Sequence, residues 1–492
     1  MRGRLLAVCV ALGCALLAAA SSATAAEPLS HSGRWLTDSD GRVVVLHGVN
    51  MVSKRPPFEP EAVGFSADDA AFLAEHGFNT ARVGVIYAAL EPRPGEYDDA
   101  YLDSIQRTVD LLAQHGIHSQ LDFHQDLYNQ RFGGEGFPDW ATHDDGLPAQ
   151  PRLGFPANYL AMPALWRAFD HFWANDFGLQ DRYAAAWRHV AARFAGHPFV
   201  MGYDLMNEPW PGSAWPTCVV PEVGCPLFDA GPLTSFSKRM IAAIRQADPD
   251  GLVWYEPNVI FNSGVPTRHG DTGDPNAGFS FHNYCLAAGV VPGVSLPPEL
   301  QDPVCGLVER DFVFAHAEEH SRRTGDALLL SEFGASDDLG LLRRLVEGAD
   351  EYRLSWQYWH YCTCADPTTS GGGGAQSLVE DPAQPPTGAN VKKAKLDVLA
   401  RPFPRAVAGT PESWAFDPAS RAFTLQYATR RADGGSLAPG LETEVFLPPR
   451  HYPGTYEVDV TGASVTSPPG ARVLRLVAGP DSTRVSIRVR PA

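Results

Sequence analysis

Val200-Met201-Gly202-Tyr203-Asp204-Leu205-Met206-Asn207-Glu208-Pro209-Trp210 is a short apolar run that ends in a carboxylate. Its length and its apolar, aromatic content read as a buried strand over Val200–Met206. Just before it, Asp181–Phe194 has the apolar spacing of an amphipathic helix. The same unit recurs along the chain from Val43 to Tyr361. The strand candidates are Val43–Val49, Asn79–Val85, His118–Phe123, Val200–Met206, Leu252–Glu256, Phe279–Tyr284, Ala327–Ser331 and Ser355–Tyr361. Helical patterns separate them at Ala67–His76, Ala100–His115, Asp181–Phe194, Leu233–Ala247, Leu307–Arg323 and Leu339–Ala349, and Ser66 with Asp69 offers a capping box for the first. Strands separated by helices imply parallel crossovers, and eight of them suggest closure into a (β/α)8 TIM barrel of the α/β class. An open doubly wound sheet would want a glycine-rich phosphate loop after its first strand, and Val49-Asn50-Met51 supplies none.

Beyond Arg401-Pro402 the character changes. Phe423–Tyr427, Glu442–Leu447, Thr455–Val460, Arg472–Val477 and Thr483–Arg490 are short strand patterns divided by Pro/Gly turns, which predicts a small β-sandwich. The glycine- and proline-rich Ser370–Asn390 reads as a long loop after the eighth strand. At the other end, Arg2 and Arg4 precede the apolar Leu5–Ala20 and the small residues Ala23-Thr24-Ala25, the pattern of a signal peptide cleaved after Ala25 or Ala26. A lipoprotein signal ending at Cys14 is the weaker alternative, since Ala11 stands where a leucine is usual. The expected organisation is a signal peptide over 1–26, a catalytic barrel over 27–400 and a C-terminal β-sandwich over 401–492, in a secreted monomer.

The 492 residues carry a formal charge of −18, which disfavours nucleic acid and anionic membranes as electrostatic partners. No stretch beyond the signal is long and apolar enough to span a bilayer. Removing the signal leaves Cys218, Cys225, Cys285, Cys305, Cys362 and Cys364, an even number that suits disulfides in an exported chain. Cys218–Cys225 and Cys285–Cys305 are the expected local pairs, whereas Cys362 and Cys364 are too close in sequence to bridge comfortably. The spacings do not resemble a zinc pattern.

Barrel enzymes place their reactive groups at the C-terminal ends of strands. Glu208 closes the fourth strand, and Leu328-Leu329-Leu330-Ser331-Glu332-Phe333-Gly334 brings Glu332 to the end of the seventh. A carboxylate closing a buried apolar run opposes stability unless it is paired, so both need a reason. Two carboxylates facing each other across a barrel mouth suit glycoside hydrolysis. A separation of about 5–5.5 Å gives retention through a covalent intermediate, and a wider gap admits water and inverts. Solvated ion pairs in loops are the alternative for either glutamate alone.

Asn207-Glu208-Pro209 and Glu332-Phe333-Gly334, with Arg82, His124, His282, Tyr284 and Trp359 at other strand ends, resemble family 5 of the glycoside hydrolases across the whole barrel. The resemblance implies that Glu208 is the acid/base and Glu332 the nucleophile. In physical terms, Asn207 can hydrogen-bond a sugar 2-hydroxyl, and Arg82 and Tyr284 can keep Glu332 ionised by donating to it. Trp359 offers a flat face to a sugar. Arg82 could instead serve a structural ion pair, and His124 and His282 could be satisfied core histidines. Trp356, three residues from Trp359, falls on the opposite strand face and reads as packing.

Within family 5, the run Val49–Phe58, the segment Asp122-Phe123-His124-Gln125-Asp126 and the long insertion that follows are similar to the endoglycoceramidases. That resemblance implies that Lys54 and Asp126 contact the sugar joined to ceramide and that the substrate is a glycosphingolipid in micelles or membranes. The insertion between Leu127 and Phe177 is crowded with apolar side chains, among them Phe132, Phe137, Phe155, Tyr159, Met162, Phe169 and Phe172. Burying ten methylenes in such a groove would contribute roughly 8 kcal/mol; a helix covering the barrel would use the same residues. No cofactor or metal is implied, since two carboxylates suffice. Another β-glucoside, such as a steryl glucoside or β-glucan, or a non-catalytic glycolipid-binding barrel, remain the alternatives.

Overall fold

The computed structural model describes residues 28–220, 223–284, 303–369 and 372–492. The expected signal segment, Cys9, Cys14 and Cys285 lie outside the described residues. The chain enters through three short strands, β1 (Ser30–Ser32), β2 (Trp35–Thr37) and β3 (Val43–Val44). Eight strands then close a barrel: β4 (His47–Met51), β5 (Thr80–Val85), β6 (His118–Phe123), β7 (Val200–Asp204), β8 (Val253–Tyr255), β9 (Ala277–Asn283), β10 (Ala327–Phe333) and β11 (Ser355–Tyr358). Every neighbouring pair is parallel, including β11 with β4 at the seam. The TIM barrel is thus the observed fold.

The expected first strand, Val43–Val49, is two strands. Val43 and Val44 pair antiparallel with residues 407 and 406, and only from His47 does the chain join the barrel. Val45 and Leu46 between them are equally buried, so an unbroken apolar pattern conceals the change of sheet. The helices follow their periodicity closely. Ala67–Glu75 starts with the anticipated box, in which the Ser66 N–H donates to Asp69 Oδ2 at 2.8 Å. Asp98 caps Asp99–Gln114 by accepting from the amides of Ala100 and Tyr101.

The C-terminal segment forms β12 (Phe403–Val407), β13 (Thr410–Asp417), β14 (Ala422–Ala428), β15 (Glu442–Phe446), β16 (Tyr456–Thr461), β17 (Ala463–Val465), β18 (Val473–Ala478) and β19 (Arg484–Pro491). They build a four-stranded sheet, β13-β14-β19-β16, against a seven-stranded one, β1-β2-β3-β12-β15-β18-β17. Strands β12 and β13 escape a sequence reading because each contains a proline. The register slips beside Pro404 and Pro411, the positions where a sheet tolerates a residue without an N–H. The larger sheet also borrows β1–β3 from the start of the chain, so the two ends meet beneath the barrel. Arg401 and Trp414 both donate to the buried Asp350 carboxylate, at 2.6 and 2.8 Å, and fasten the sandwich to the helix Leu339–Tyr352.

The Cys218–Cys225 bridge is present as expected. Cys362 and Cys364 are also bridged, against the expectation from their spacing. No helix among the described residues is long and apolar enough to cross a membrane.

Candidate active site

Glu208 lies just beyond β7 and Glu332 is the penultimate residue of β10, both almost buried at 7% and 4% exposure. Two local features aim them. Glu208 sits at φ 45°, a left-handed conformation that a non-glycine residue adopts only when its surroundings impose it. In β10 the register against β9 slips between Leu330 and Glu332, making Ser331 the extra residue of a bulge. Ser331 Oγ meets Ser280 Oγ at 2.6 Å inside the barrel, and Glu332 meets Arg82. Consecutive residues therefore both turn inward. One carboxylate oxygen of Glu208, one of Glu332 and a ring nitrogen of His282 lie within 4.8 Å of one another.

Arg82, on β5 and fully buried, is the hub. It donates to Glu332 Oε1 at 2.6 Å, Glu256 Oε1 at 2.8 Å, Asn207 Oδ1 at 3.1 Å and Asp204 Oδ2 at 3.1 Å, and its Nη2 is 3.0 Å from Asp122 Oδ1. Tyr284 donates to the other oxygen of the same carboxylate, Glu332 Oε2, at 3.0 Å. Burial pushes the Glu332 carboxyl up, to about 7, while His282 and Arg82 pull the other way. Glu208 Oε1 accepts from Asn262 Nδ2 at 2.7 Å and lies 2.8 Å from His282 Nδ1. Asn207 Nδ2 spends one proton on Gln125 O, 2.9 Å away, and its amide lines the pocket.

A second cluster flanks the carboxylates. Lys54 donates to Asp126 Oδ2 at 2.6 Å and stands 4.4 Å from the Trp359 ring centre, on whose plane His124 stacks at 5.4 Å. His124 Nδ1 is 2.7 Å from Asp122. Burial opposes a charged His124, but Asp122 and Asp126 outweigh it and raise the imidazolium to about 10. Burial would likewise raise Asp126; Lys54 and His124 override it and hold this carboxyl well below its usual range. All ten residues expected at the site belong to these two connected networks; Lys54, His124, Asp126, Asn207, Glu208, Tyr284, Glu332 and Trp359 line one pocket, and Arg82 and His282 stand behind it. Trp356, by contrast, is buried and stacks on His47, as its strand face predicted.

Several partners were not anticipated. Glu256 ends the β8 run as Glu208 and Glu332 end theirs, so its signal was in plain view. Asn262 comes from a short 3-10 turn, Val259–Ser263, and Glu135, Asp366 and Thr368 from loops, and nothing local marks them. Of the crowded insertion, Phe155 and Tyr159 line the pocket. Phe132, Phe137, Met162, Phe169 and Phe172 are core instead; Phe137, for example, stacks on Tyr128 at 3.9 Å. The groups His124–Asp126–Glu135 and Glu208–His282–Glu332 have the donor types to hold a metal, but Lys54 and Arg82 already place a cation against each. Cys362 and Cys364 are oxidised and present no thiolate.

Paired carboxylates at this spacing, one held by two donors and the other beside an imidazole, can perform double displacement at an acetal carbon. Comparison with known proteins agrees. Residues 37–364 match the model of cellulase (glycosyl hydrolase family 5), and 401–489 match the glycoside hydrolase family 5 C-terminal domain. Endoglycoceramidase I of Rhodococcus hoagii (strain 103S) is 35% identical over 94% of this chain and 89% of its own, and endoglycoceramidase of Hydra vulgaris is 29% identical over 86% and 81%. Endo-glycoceramidase II from Rhodococcus sp., solved as a lactosyl-enzyme intermediate, superposes with a TM-score of 0.76 at 32% identity, covering 93% of this chain and 99% of that one. With the barrel and its C-terminal domain both matched, the chain belongs to glycosyl hydrolase family 5.

Proposed function

We propose that the protein is an endoglycoceramidase: it hydrolyses the bond between the oligosaccharide and ceramide of glycosphingolipids with retention. The observation that carries this reading is the Glu208–Glu332 pair, within 4.8 Å, beside a pocket walled by the apolar Phe155, Pro156 and Tyr159. In the first step Glu332 attacks the anomeric carbon, Glu208 gives its proton to the glycosidic oxygen, and ceramide leaves as its alcohol. In the second, Glu208 takes a proton from water, which attacks the glycosyl–Glu332 ester and frees both sugar and carboxylate. Asn207 is positioned for the 2-hydroxyl and Trp359 for a sugar face, while Lys54, His124 and Asp126 form the polar wall that orients the sugar next to ceramide. Arg82, His282 and Tyr284 hold the two carboxylates.

Incubation with a ganglioside and with carboxymethylcellulose tests the substrate. Free ceramide without reducing ends from cellulose is the expected result, and the reverse pattern sinks the reading. Trapping with a 2-fluoro glycoside should label Glu332, and Glu332→Gln or Glu208→Gln should abolish turnover while glycolipid binding persists.

Export completes the proposal. The disulfides Cys218–Cys225 and Cys362–Cys364 favour an oxidising compartment, and Ala23-Thr24-Ala25 supplies the cleavage signature. The mature protein acts as a secreted monomer on micelles or membrane surfaces, with 27–400 as the catalytic unit and 401–492 as its sandwich. Intact mass and sedimentation of the exported protein check these points: a start other than residue 26 or 27, or a dimer, contradicts them.

A further inference from the structure

Glu256 is fully enclosed behind Glu208 and touches it by two routes. Its Oε2 accepts the Glu208 backbone N–H at 2.9 Å. Its Oε1 lies 3.3 Å from His282 Nε2, and the other ring nitrogen of His282 is the one 2.8 Å from Glu208 Oε1. The amide contact pins a residue held at φ 45°, a conformation that a non-glycine residue keeps only when its surroundings impose it, and so fixes where the side chain leaves the backbone. The ring contact is an ion pair that turns Nε2 toward Glu256 and leaves Nδ1 facing the Glu208 carboxyl at 2.8 Å, with Glu332 Oε2 farther away at 3.5 Å; carboxylates orient catalytic imidazoles in the same way elsewhere.

Stability does not account for this glutamate. Arg82 already meets Asp122, Asp204 and Glu332, and a further buried carboxylate adds like charge to that group. The effect is visible on its neighbour: burial first, and Glu256 next, push the Asp204 carboxyl well above its usual range. Around the Glu256–His282 pair, the charged and titratable groups are Arg82 from β5, Asp122 from β6, Asp204 from β7 and Glu208 just beyond it, Tyr284 after β9 and Glu332 from β10. Of these, Glu208 alone is bound at both its main chain and, through His282, its side chain.

We infer that Glu256 is a positioning residue for proton transfer, aiming Glu208 at the glycosidic oxygen and fixing, through His282, the face on which its proton is held. This rests on Glu208 being the acid/base. A residue acting through the acid matters only where the leaving group needs a proton. General acid catalysis is worth about 10²–10⁴-fold, so leaving-group dependence separates that role from support of Glu332.

The test compares Glu256→Gln with the unaltered protein on an alkyl β-lactoside, which requires protonation, and on inactivation by 2,4-dinitrophenyl 2-deoxy-2-fluoro-β-lactoside, which does not. The expected loss is about 100-fold or more on the first, with inactivation slowed less than about fivefold. Equal losses on both would mean that Glu256 works through Arg82 and Glu332, and would overturn the inference. Glu256→Asp keeps the charge but withdraws it by one methylene, and should show the same split; failure of both variants to fold would make Glu256 scaffold and also overturn it. Glu208→Ala serves as the control on the underlying reading. If that variant shows no split, the acid/base assignment fails; if it does and Glu256→Gln does not, only the inference about Glu256 falls.

Discussion

Tyr284 donates to Glu332 from the end of the neighbouring strand, 3.0 Å to Oε2, and Arg82 holds the opposite oxygen at 2.6 Å. Both oxygens of the carboxylate proposed to attack are thereby held before substrate arrives. A hydrogen bond to a charged group contributes about 1.5–3 kcal/mol, and about 1.4 kcal/mol is tenfold in rate. Tyr284→Phe should therefore lower kcat/KM roughly 10- to 150-fold. An unaltered kcat/KM would remove Tyr284 from the machinery.

The pH profile follows from the same carboxylate. Glu332 must be ionised to attack, and burial raises its pKa to about 7 despite His282 and Arg82. A raised carboxyl loses its reactive form as pH falls through that value, so activity should fall on the acid side of neutrality. The acid limb of kcat/KM reports the free enzyme and is expected well above the ordinary glutamate range, rising further in Tyr284→Phe. A limb at or below about 4.3, the value of an unperturbed glutamate, contradicts the assignment.

Glu208 and Glu332 were legible because each terminates an apolar strand where carboxylates are unfavourable. Glu256 obeys the same rule at the end of the β8 run, so the same physical signal marks it. The eight strands were legible from alternation with helices, since parallel strands buried on both faces read as continuous apolar runs. Val43–Val49 shows the limit of that logic: burial in either sheet looks the same from the sequence. Glu135, Asp366 and Thr368 had no such marker, because they reach Lys54 by loop paths that only tertiary packing determines.

Lys54 offers a stability test separate from catalysis. Its ammonium is 2.6 Å from Asp126, 3.4 Å from Asp366 and 4.0 Å from Glu135, all buried. Removing one partner from a buried ion pair costs about 3–5 kcal/mol. Lys54→Met should thus lower the melting temperature at pH 7, and Asp126→Asn, which leaves Asp366 on the cation, should cost less. Asp126 has a depressed pKa in the folded protein, so its contribution is present above the unfolded aspartate value and lost as pH falls through the folded one. In Lys54→Met that carboxyl can take a proton, and the deficit should shrink between pH 7 and pH 5. A deficit independent of pH would show that packing, not charge, explains it.

The seven-stranded sheet couples the two ends of the chain. Strand β3 has β12 as its partner, and Val43 and Val45 pack into the same core as Phe403, Trp414 and Leu474. Cutting the chain after Ala400 would expose the β3 edge, uncover that apolar face and strip Asp350 of both Arg401 and Trp414. Burial already raises Asp350 to about 6 against the pull of Arg401, so an orphaned carboxylate there is doubly unfavourable. A chain ending at residue 400 should fail to accumulate in soluble form, whereas Arg401→Met, which keeps the sheet and the Trp414 bond, should fold with a lowered melting temperature. Soluble yield and thermal melts of the two distinguish the cases. A soluble, active truncation would mean that the barrel folds without the sandwich and that the shared sheet is dispensable.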